Sequence, residues 1–258
     1  MINKKTNKNA FGEVLKKWRK LRRYSQLQLA IEIDVSSKHI SFLETGRSTP
    51  SREMILRIGS FLYLPKREIN QGLLAARFAP EYSELSSGHE DLKPIFTAIQ
   101  TMIENHMPYP ALVLNQNWDV VNMNESAKTL LDEVGYSGSN NLIEAIISDD
   151  PETSKIINWH ESASAILMRL RYEINLLGAN EYLENLAQQL SKRLAPDNEW
   201  LGVDGEQVAI STRLQIKGKK LSFFSMITQL GTVQDAIVSE LKVELMFPLD
   251  EQTRDFYR

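Results

Sequence analysis

The stretch SQLQLAIEIDVSSKHISFLETGRSTP, residues 25–50, constrains the fold more than any other part of the chain. Ser25 is a good N-cap residue, and Gln28, three positions later, completes a capping box, so a helix is expected to begin there. The apolar spacing then breaks, and Ser36 provides a second N-cap within a few residues. Two helices joined by so short a turn cross at a steep angle, which is the arrangement of helix-turn-helix units that place their second helix in the DNA major groove.

Apolar spacing around this stretch predicts a small helical core. Periodic apolar residues indicate one helix over residues 11–22 and two more over residues 52–62 and 66–77, the last opened by Pro65. The first helix of the central unit is predicted to direct three apolar side chains toward this core: Leu27, Ala30 and Ile31. The second is predicted to contribute Ile40 and Leu43.

The spacing SQxxLA followed by xVSxxxIxxLExGRxxPS resembles the lambda-repressor-like, or XRE, helix-turn-helix family over residues 11–77. The resemblance implies a five-helix DNA-binding domain in which Arg19 pairs with Glu44. We interpret Glu44 as structural, since an acidic residue facing DNA would be repelled. The family usually has Gly at the positions of Arg23 and Asp34. Asp tolerates a positive φ better than most residues, so Arg23 is the larger departure from the pattern.

The second helix of the central unit is the predicted recognition helix. Lys38 is expected to donate to guanine, and Phe42 either meets a thymine methyl group or is a partly buried core residue. Gln26, at the positive end of the preceding helix, is predicted to hold a phosphate, and residues after the recognition helix lie along the DNA backbone. The full set of predicted DNA-contacting residues is Gln26, Ser36, Ser37, Lys38, Ser41, Phe42, Thr45 and Arg47.

Charge divides the chain into two parts. Residues 1–77 contain 16 Lys and Arg against 6 Asp and Glu, whereas the remainder contains 14 against 27, within a net charge of −3. Because Lys and Arg supply most non-specific DNA affinity, the basic part is where nucleic acid is expected to bind. Residues 1–10 form a basic flexible segment, which is either a disordered tail or an arm that contacts phosphates.

Several classes of protein are disfavoured by composition. The chain has no Cys, which excludes disulfides and thiolate metal sites, and its four His residues show no metal-ligand spacing. No apolar run is long enough to span a membrane and no signal-peptide pattern begins the chain, so we expect a cytoplasmic protein without a membrane partner. No nucleophile arrangement or phosphate-binding loop is recognisable, so we predict neither an enzyme nor a cofactor.

Residues 78–91 contain Pro, Gly and Ser without periodicity and are predicted to be a linker to a second domain, residues 92–258. There we predict a small antiparallel sheet with helices on one side, which makes the whole chain α+β. The predicted helices cover residues 92–103, 124–134, 159–177 and 180–194. The predicted strands cover residues 111–114, 118–122, 208–216, 220–230 and 241–247.

This order of elements looks like a PAS-type sensor. The segments YPALVLNQNWDVVNMN and LSFFSMITQLGTVQDAIVSELKVELMFPLDEQT resemble the ligand-binding domain of the MmyB-like transcription regulators over residues 92–257. The resemblance implies a PAS-like fold and a fatty acid or similar lipophilic ligand. Large apolar side chains could line the pocket or be plain core, and a carboxylate ligand would need a cation from Arg169, Arg171 or Arg213. The predicted ligand-contacting residues are Trp159, Leu167, Leu170, Arg169, Phe223 and Met226.

Three hypotheses follow. The first is a transcription regulator that binds DNA as a homodimer and responds to a small lipophilic effector in its second domain. The second is a DNA-binding regulator whose second domain is a ligand-free dimerisation or protein-interaction module. The third, a DNA-binding domain fused to an enzyme, is disfavoured by the missing catalytic residues.

Overall fold

The computed structural model describes residues 9–85, 88–177, 180–194, 211–231 and 233–258. The chain divides into two compact units. The first comprises Met1–Glu84, Asn175–Ala179 and Thr232–Ser239, and the second comprises Leu85–Ile174, Asn180–Gly231 and Glu240–Arg258. Five helices in the first and a five-stranded antiparallel sheet in the second confirm the predicted α+β class.

Five helices form the amino-terminal part of the first unit. They are α1 (Ala10–Leu21), α2 (Gln26–Glu32), α3 (Ser37–Glu44), α4 (Arg52–Phe61) and α5 (Lys66–Ala75). The predicted caps are present. The Ser25 hydroxyl accepts a hydrogen bond from the Gln28 amide, and the Gln28 side chain accepts one from the Ser25 amide, which completes the capping box. Ser36 caps α3 through the His39 amide, so the helix-turn-helix arrangement is confirmed.

The core side of α2 differs from the prediction. Ala30 is buried as expected, but Leu27 and Ile31 are exposed. At 100° per residue, Leu29, Ala30 and Ile33 form the face that packs into the core, and residues 27 and 31 lie one above the other on the opposite side. In a helix of seven residues, the apolar positions were too few for the periodicity to identify the buried face.

The XRE pattern usually has glycine in the turns before and after α2. This chain has other residues there, but the backbone of both turns is left-handed. Arg23 has φ of 57° and Asp34 has φ of 51°. The amide of Tyr24 donates to the Arg19 carbonyl over 3.0 Å, and that of Val35 donates to the Ala30 carbonyl over 2.9 Å, so each turn closes its helix. Arg23 therefore adopts the glycine conformation despite its side chain.

The rest of the described chain contributes a sheet and further helices. The strands are β1 (Ala111–Leu114), β2 (Val120–Met123), β3 (Thr212–Ile216), β4 (Lys219–Gln229) and β5 (Lys242–Pro248). The helices are α6 (Lys93–Asn105), α7 (Glu125–Val134), α8 (Leu142–Ser148), α9 (Trp159–Leu177), α10 (Glu181–Leu194) and α11 (Glu251–Phe256). The sequence did not predict α8 or α11, and residues 208–210 of the predicted third strand lie outside the described residues.

The sheet has the order β2-β1-β5-β4-β3, and all its neighbours are antiparallel. Helices α7, α8, α9 and α10 contribute to the core on one face, which includes Leu112 and Leu114. The prediction that helices lie on one side only was wrong, because α6 covers part of the other face, where Val113 and Ile99 are buried. All four residues of β1 are buried, as expected for a strand covered on both faces.

Candidate functional site

An exposed basic and aromatic surface lies on α3 and the turn after it. The Lys38 ammonium lies 5.5 Å from the centre of the Phe42 ring, and the Arg47 guanidinium lies 5.8 Å from it. Phe42 is half-buried between these two exposed cations. The ring therefore supports both side chains and is itself partly buried, while its contact with a thymine methyl group stays a prediction.

The remaining predicted residues of this surface are small and polar. Ser36, Ser37 and Thr45 are exposed, and Ser41 is half-buried. The Ser36 hydroxyl is engaged as the cap of α3, and the Thr45 hydroxyl donates to the Ser41 carbonyl over 2.7 Å. The hydroxyls of Ser36 and Thr45 therefore already make hydrogen bonds within the protein.

Gln26 belongs to a buried cluster beside this surface. The Glu44 carboxylate accepts two hydrogen bonds from Arg19, at 2.6 and 3.0 Å, and one from the Gln26 amide at 2.7 Å. Burial alone would raise the pKa of Glu44, but these hydrogen bonds and the Arg19 charge outweigh it and lower that pKa. The predicted Arg19–Glu44 pair is confirmed, and it fixes Gln26 at the start of α2.

The second unit contains a cavity of about 310 Å³ between the sheet and helices α7, α8 and α9. This volume lies at the lower end of the usual range for small-molecule sites. Most of its wall is apolar, and the contributing side chains include Leu112, Leu130, Ile143, Ile166, Ile227 and Met246. Such a wall favours an aliphatic ligand through burial of apolar surface.

One region of the cavity wall is charged and belongs to a buried hydrogen-bonded network. The Glu173 carboxylate accepts one hydrogen bond at Oε1 from Arg169 Nε, at 2.7 Å. It accepts two at Oε2, from the Trp118 indole and the Lys242 ammonium, each at 2.9 Å. The Lys242 ammonium also lies 4.1 Å from the centre of the Trp118 ring. Burial lowers the pKa of Lys242, and Glu173 opposes that effect.

Glu244 is a second carboxyl group in this region, and it lines the cavity together with Arg169 and Ser225. Burial raises the pKa of Glu244, against a hydrogen bond from Ser225 and the positive charges of Lys242 and Arg169. The side chain retains partial accessibility because the cavity itself admits water-sized molecules. The polar region therefore presents a guanidinium and a carboxyl group whose pKa is raised by burial.

Of the predicted ligand residues, Arg169 lines the cavity and the other five do not. Trp159, Leu167 and Leu170 are buried on a neighbouring stripe of α9, whereas the cavity line of this helix runs through positions 162, 165, 166 and 169. The two stripes are about one residue, or 100°, apart, so the stripe of largest apolar residues indicated core rather than cavity.

The two predicted residues of β4 are also placed away from the cavity. Phe223 is fully buried and meets the Tyr257 ring at a centroid distance of 5.9 Å. Met226 is 56% exposed, because alternation along the strand places it on the face opposite its cavity-lining neighbours Ser225 and Ile227. The prediction that Met226 faces inward was wrong.

The two alternative cations, Arg171 and Arg213, make contacts away from the cavity. Arg171 donates to the Ser191 hydroxyl over 3.3 Å, and Arg213 pairs with Glu161 at 2.9 Å. Sequence reasoning missed Glu244 and the network residues Trp118, Glu173 and Lys242. A signal was present, because residues 242 and 244 are charged positions on one face of an otherwise apolar strand.

Two features are absent from the part of the chain that the structure describes. No group of three or more His, Asp or Glu side chains is placed to hold a metal ion there. Within the same residues, no helix has the length and apolar character needed to cross a membrane.

Known families match the part of the chain that contains the α3 surface and the part that contains the cavity. Residues 15–69 match a helix-turn-helix family model, and residues 95–258 match the MmyB-like transcription regulator ligand binding domain. A curated relative from Bacillus subtilis (strain 168), the uncharacterized HTH-type transcriptional regulator RghRB, is 30% identical over 115 residues, which are 42% of this chain and 78% of the relative. The chain is therefore a DNA-binding transcription regulator that belongs to the MmyB-like family, with a helix-turn-helix domain ahead of the family's ligand-binding domain.

Proposed function

We propose that the protein regulates transcription by reading DNA with α3 and by sensing a lipophilic acid, such as a fatty acid, in the cavity of the second unit. The observation that carries the proposal is the cavity itself, which combines an apolar wall with the Arg169 guanidinium. An aliphatic chain would bury apolar surface against the wall, and its carboxylate would meet the guanidinium. The order of strands and helices in this unit supports a PAS-like sensor.

For DNA, we propose direct readout by Lys38 and phosphate contacts by Arg47 and Gln26. Lys38 would donate to guanine O6 or N7 from near the start of α3, where its side chain lies over the Phe42 ring. Ser37, Ser41 and Phe42 would complete the base-facing surface, and Ser36 and Thr45 would border it. A homodimer would bind two symmetric half-sites about 34 Å apart. It would act in the bacterial cytoplasm, which is the compartment that holds the DNA.

The DNA proposal is tested with the full-length protein on an operator selected from random duplexes. We expect Lys38→Ala to lose about 1–3 kcal/mol on the operator and to relax the base preference at one position. Arg47→Ala should weaken all sequences similarly and reduce the salt slope by about one. Lys66→Ala, at the start of α5, is the matched control. If Lys38→Ala retained both affinity and preference, the assignment of the recognition surface would be wrong.

The ligand proposal is tested by native mass spectrometry of the purified protein and by binding of added dodecanoate. We expect one lipophile per chain, lost in Ile166→Trp, whose larger side chain would occupy the cavity. Met168→Trp, two residues along α9 at an exposed position, is the control. Absence of any lipophile and of dodecanoate binding would favour the alternative, in which the second unit is a ligand-free dimerisation or interaction module.

A further inference from the structure

The charged region of the cavity contains a guanidinium that a ligand can reach. The Arg169 side chain is 36% exposed, against 5% for its partner Glu173 and 2% for Lys242. Both carboxylate oxygens of Glu173 already accept hydrogen bonds, so this group is held within its own network. A guanidinium that uses Nε for one carboxylate keeps two terminal amino groups with which it can bind another.

Glu244 determines the net charge that a ligand meets there. Arg169 on α9, Lys242 on the same strand and the Ser225 hydroxyl on β4 act on it, and Glu173 on α9 pairs with both of these cations. The two cations exceed the single Glu173 carboxylate by one charge. An ionised Glu244 cancels that excess, whereas a protonated Glu244 leaves it for an anionic ligand.

We propose that Glu244 and Arg169 form the head-group site of the cavity, and that a lipophilic carboxylate binds there together with one proton held by Glu244. The proposal rests on the proposed ligand-sensing function and specifies its ligand class and its response to pH. Two carboxylates that share one cation cannot both stay ionised in a buried site, so one of them takes up a proton. The proton goes to Glu244, because the ligand carboxylate is the one bound to Arg169.

The inference is consistent with the ionisation of the free protein. Burial already raises the pKa of Glu244 before any ligand enters. A ligand carboxylate beside Glu244 would raise that pKa further. A group whose pKa rises when a ligand binds takes up a proton on binding, so the higher pKa and the proton uptake are linked. Affinity for a lipophilic acid should then fall as Glu244 ionises, and affinity for the matching alcohol should not.

The experiment is calorimetric titration of the full-length protein with dodecanoate and with dodecanol from pH about 6 to about 10, in buffers of different protonation enthalpy. Above the pH at which Glu244 ionises in the free protein, we expect dodecanoate to bind with uptake of about one proton. In that pH range the affinity for dodecanoate should fall about tenfold per pH unit. Dodecanol should bind without uptake. In Glu244→Gln, dodecanoate should bind with no uptake from this site.

Two variants on α9 separate the head group from the helix. Arg169→Gln should lose dodecanoate affinity at least tenfold and retain dodecanol, whereas Arg171→Gln, two residues along the same helix, should bind both ligands as the wild type does. If Glu244→Gln does not fold, the infrared difference spectrum of the wild type replaces it, and a protonated carboxyl band should grow as dodecanoate binds.

Failure of the proton-linked site and failure of ligand sensing give different results. Binding of dodecanoate with no pH dependence, or with the same proton uptake in Glu244→Gln, overturns the proton-linked site and leaves ligand sensing standing. Binding of neither dodecanoate nor dodecanol overturns ligand sensing of aliphatic molecules and this inference with it.

Discussion

Replacing Arg19 with Met should destabilise the first unit by about 3–5 kcal/mol, because it leaves the Glu44 carboxylate buried without its main partner. Glu44 is 6% exposed and receives two of its three recorded hydrogen bonds from Arg19. The remaining bond from Gln26 comes from a neutral amide and cannot balance the charge. A unit of about 97 residues has about 5–15 kcal/mol of stability in total, so the loss is a large fraction of it.

Amide hydrogen exchange of the full-length protein measures this loss locally. A decrease of about 3 kcal/mol should accelerate exchange of the most protected α1 and α3 amides about a hundredfold or more. Arg52→Met is the matched control, since Arg52 pairs with Glu81 in the same unit but both side chains are partly exposed. Its effect should stay below about 1 kcal/mol.

The double variant Arg19→Met with Glu44→Leu tests the physical reason. Removing both charges together should restore most of the lost stability, because no buried charge is left unpaired. The pH dependence gives a second check. The lowered pKa of Glu44 contributes stability that is present above its unfolded value of about 4.3 and is lost as the pH falls through the folded value. If the double variant were as unstable as the single one, the buried-charge argument would be refuted.

Three further substitutions have defined outcomes. Asn124→Ala should destabilise the second unit by about 3 kcal/mol or more in calorimetric unfolding, because the buried Asn124 amide makes four hydrogen bonds that join α6, β1 and α7. The control Asn122→Ala, at an exposed position, should cost under about 1 kcal/mol. Alanine usually stabilises a helix relative to glycine, but Gly72→Ala should destabilise α5 by about 1–3 kcal/mol, because the new Cβ would lie 2.2 Å from the Trp18 ring. Arg23→Gly should stabilise the first unit by about 1 kcal/mol by relieving its left-handed backbone, and unchanged protection of α1 would contradict this.

Local signals predicted the helix-turn-helix unit well because its determinants are close in sequence. A cap and its bonded amide are three residues apart, as at Ser25 and Ser36, so the helix starts could be identified from residue type alone. The Arg19–Glu44 pair spans 25 positions and was predicted from a family resemblance instead. At Arg23 the sequence showed only a departure from the family's usual glycine. The left-handed φ of Arg23 could not be predicted, because the surrounding helices determine it.

The cavity was predicted less well because it depends on packing between elements distant in sequence. The rule that large apolar residues mark a site selected the buried stripe of α9, which includes Trp159 and Leu170, rather than the adjacent line through Ile166. A cavity is the place where side chains do not fill the space, and periodicity carries no information about that. Helix α8, whose Ile143 forms part of the wall, was missed because seven residues are too few for a clear period.

Burial of charge on β5 is the feature that packing alone does not account for. Lys242 is almost fully buried in a central strand, and Glu244 follows it on the same face. Apolar residues of similar size would be as stabilising or more so, because a buried ion pair rarely recovers its desolvation cost. Glu173 offsets that cost for Lys242, whereas Glu244 receives its hydrogen bond from the neutral Ser225 hydroxyl and lines the cavity together with Arg169. A carboxyl group in this position is what the proposed head-group site requires, because the polar end of a ligand would complete the network there.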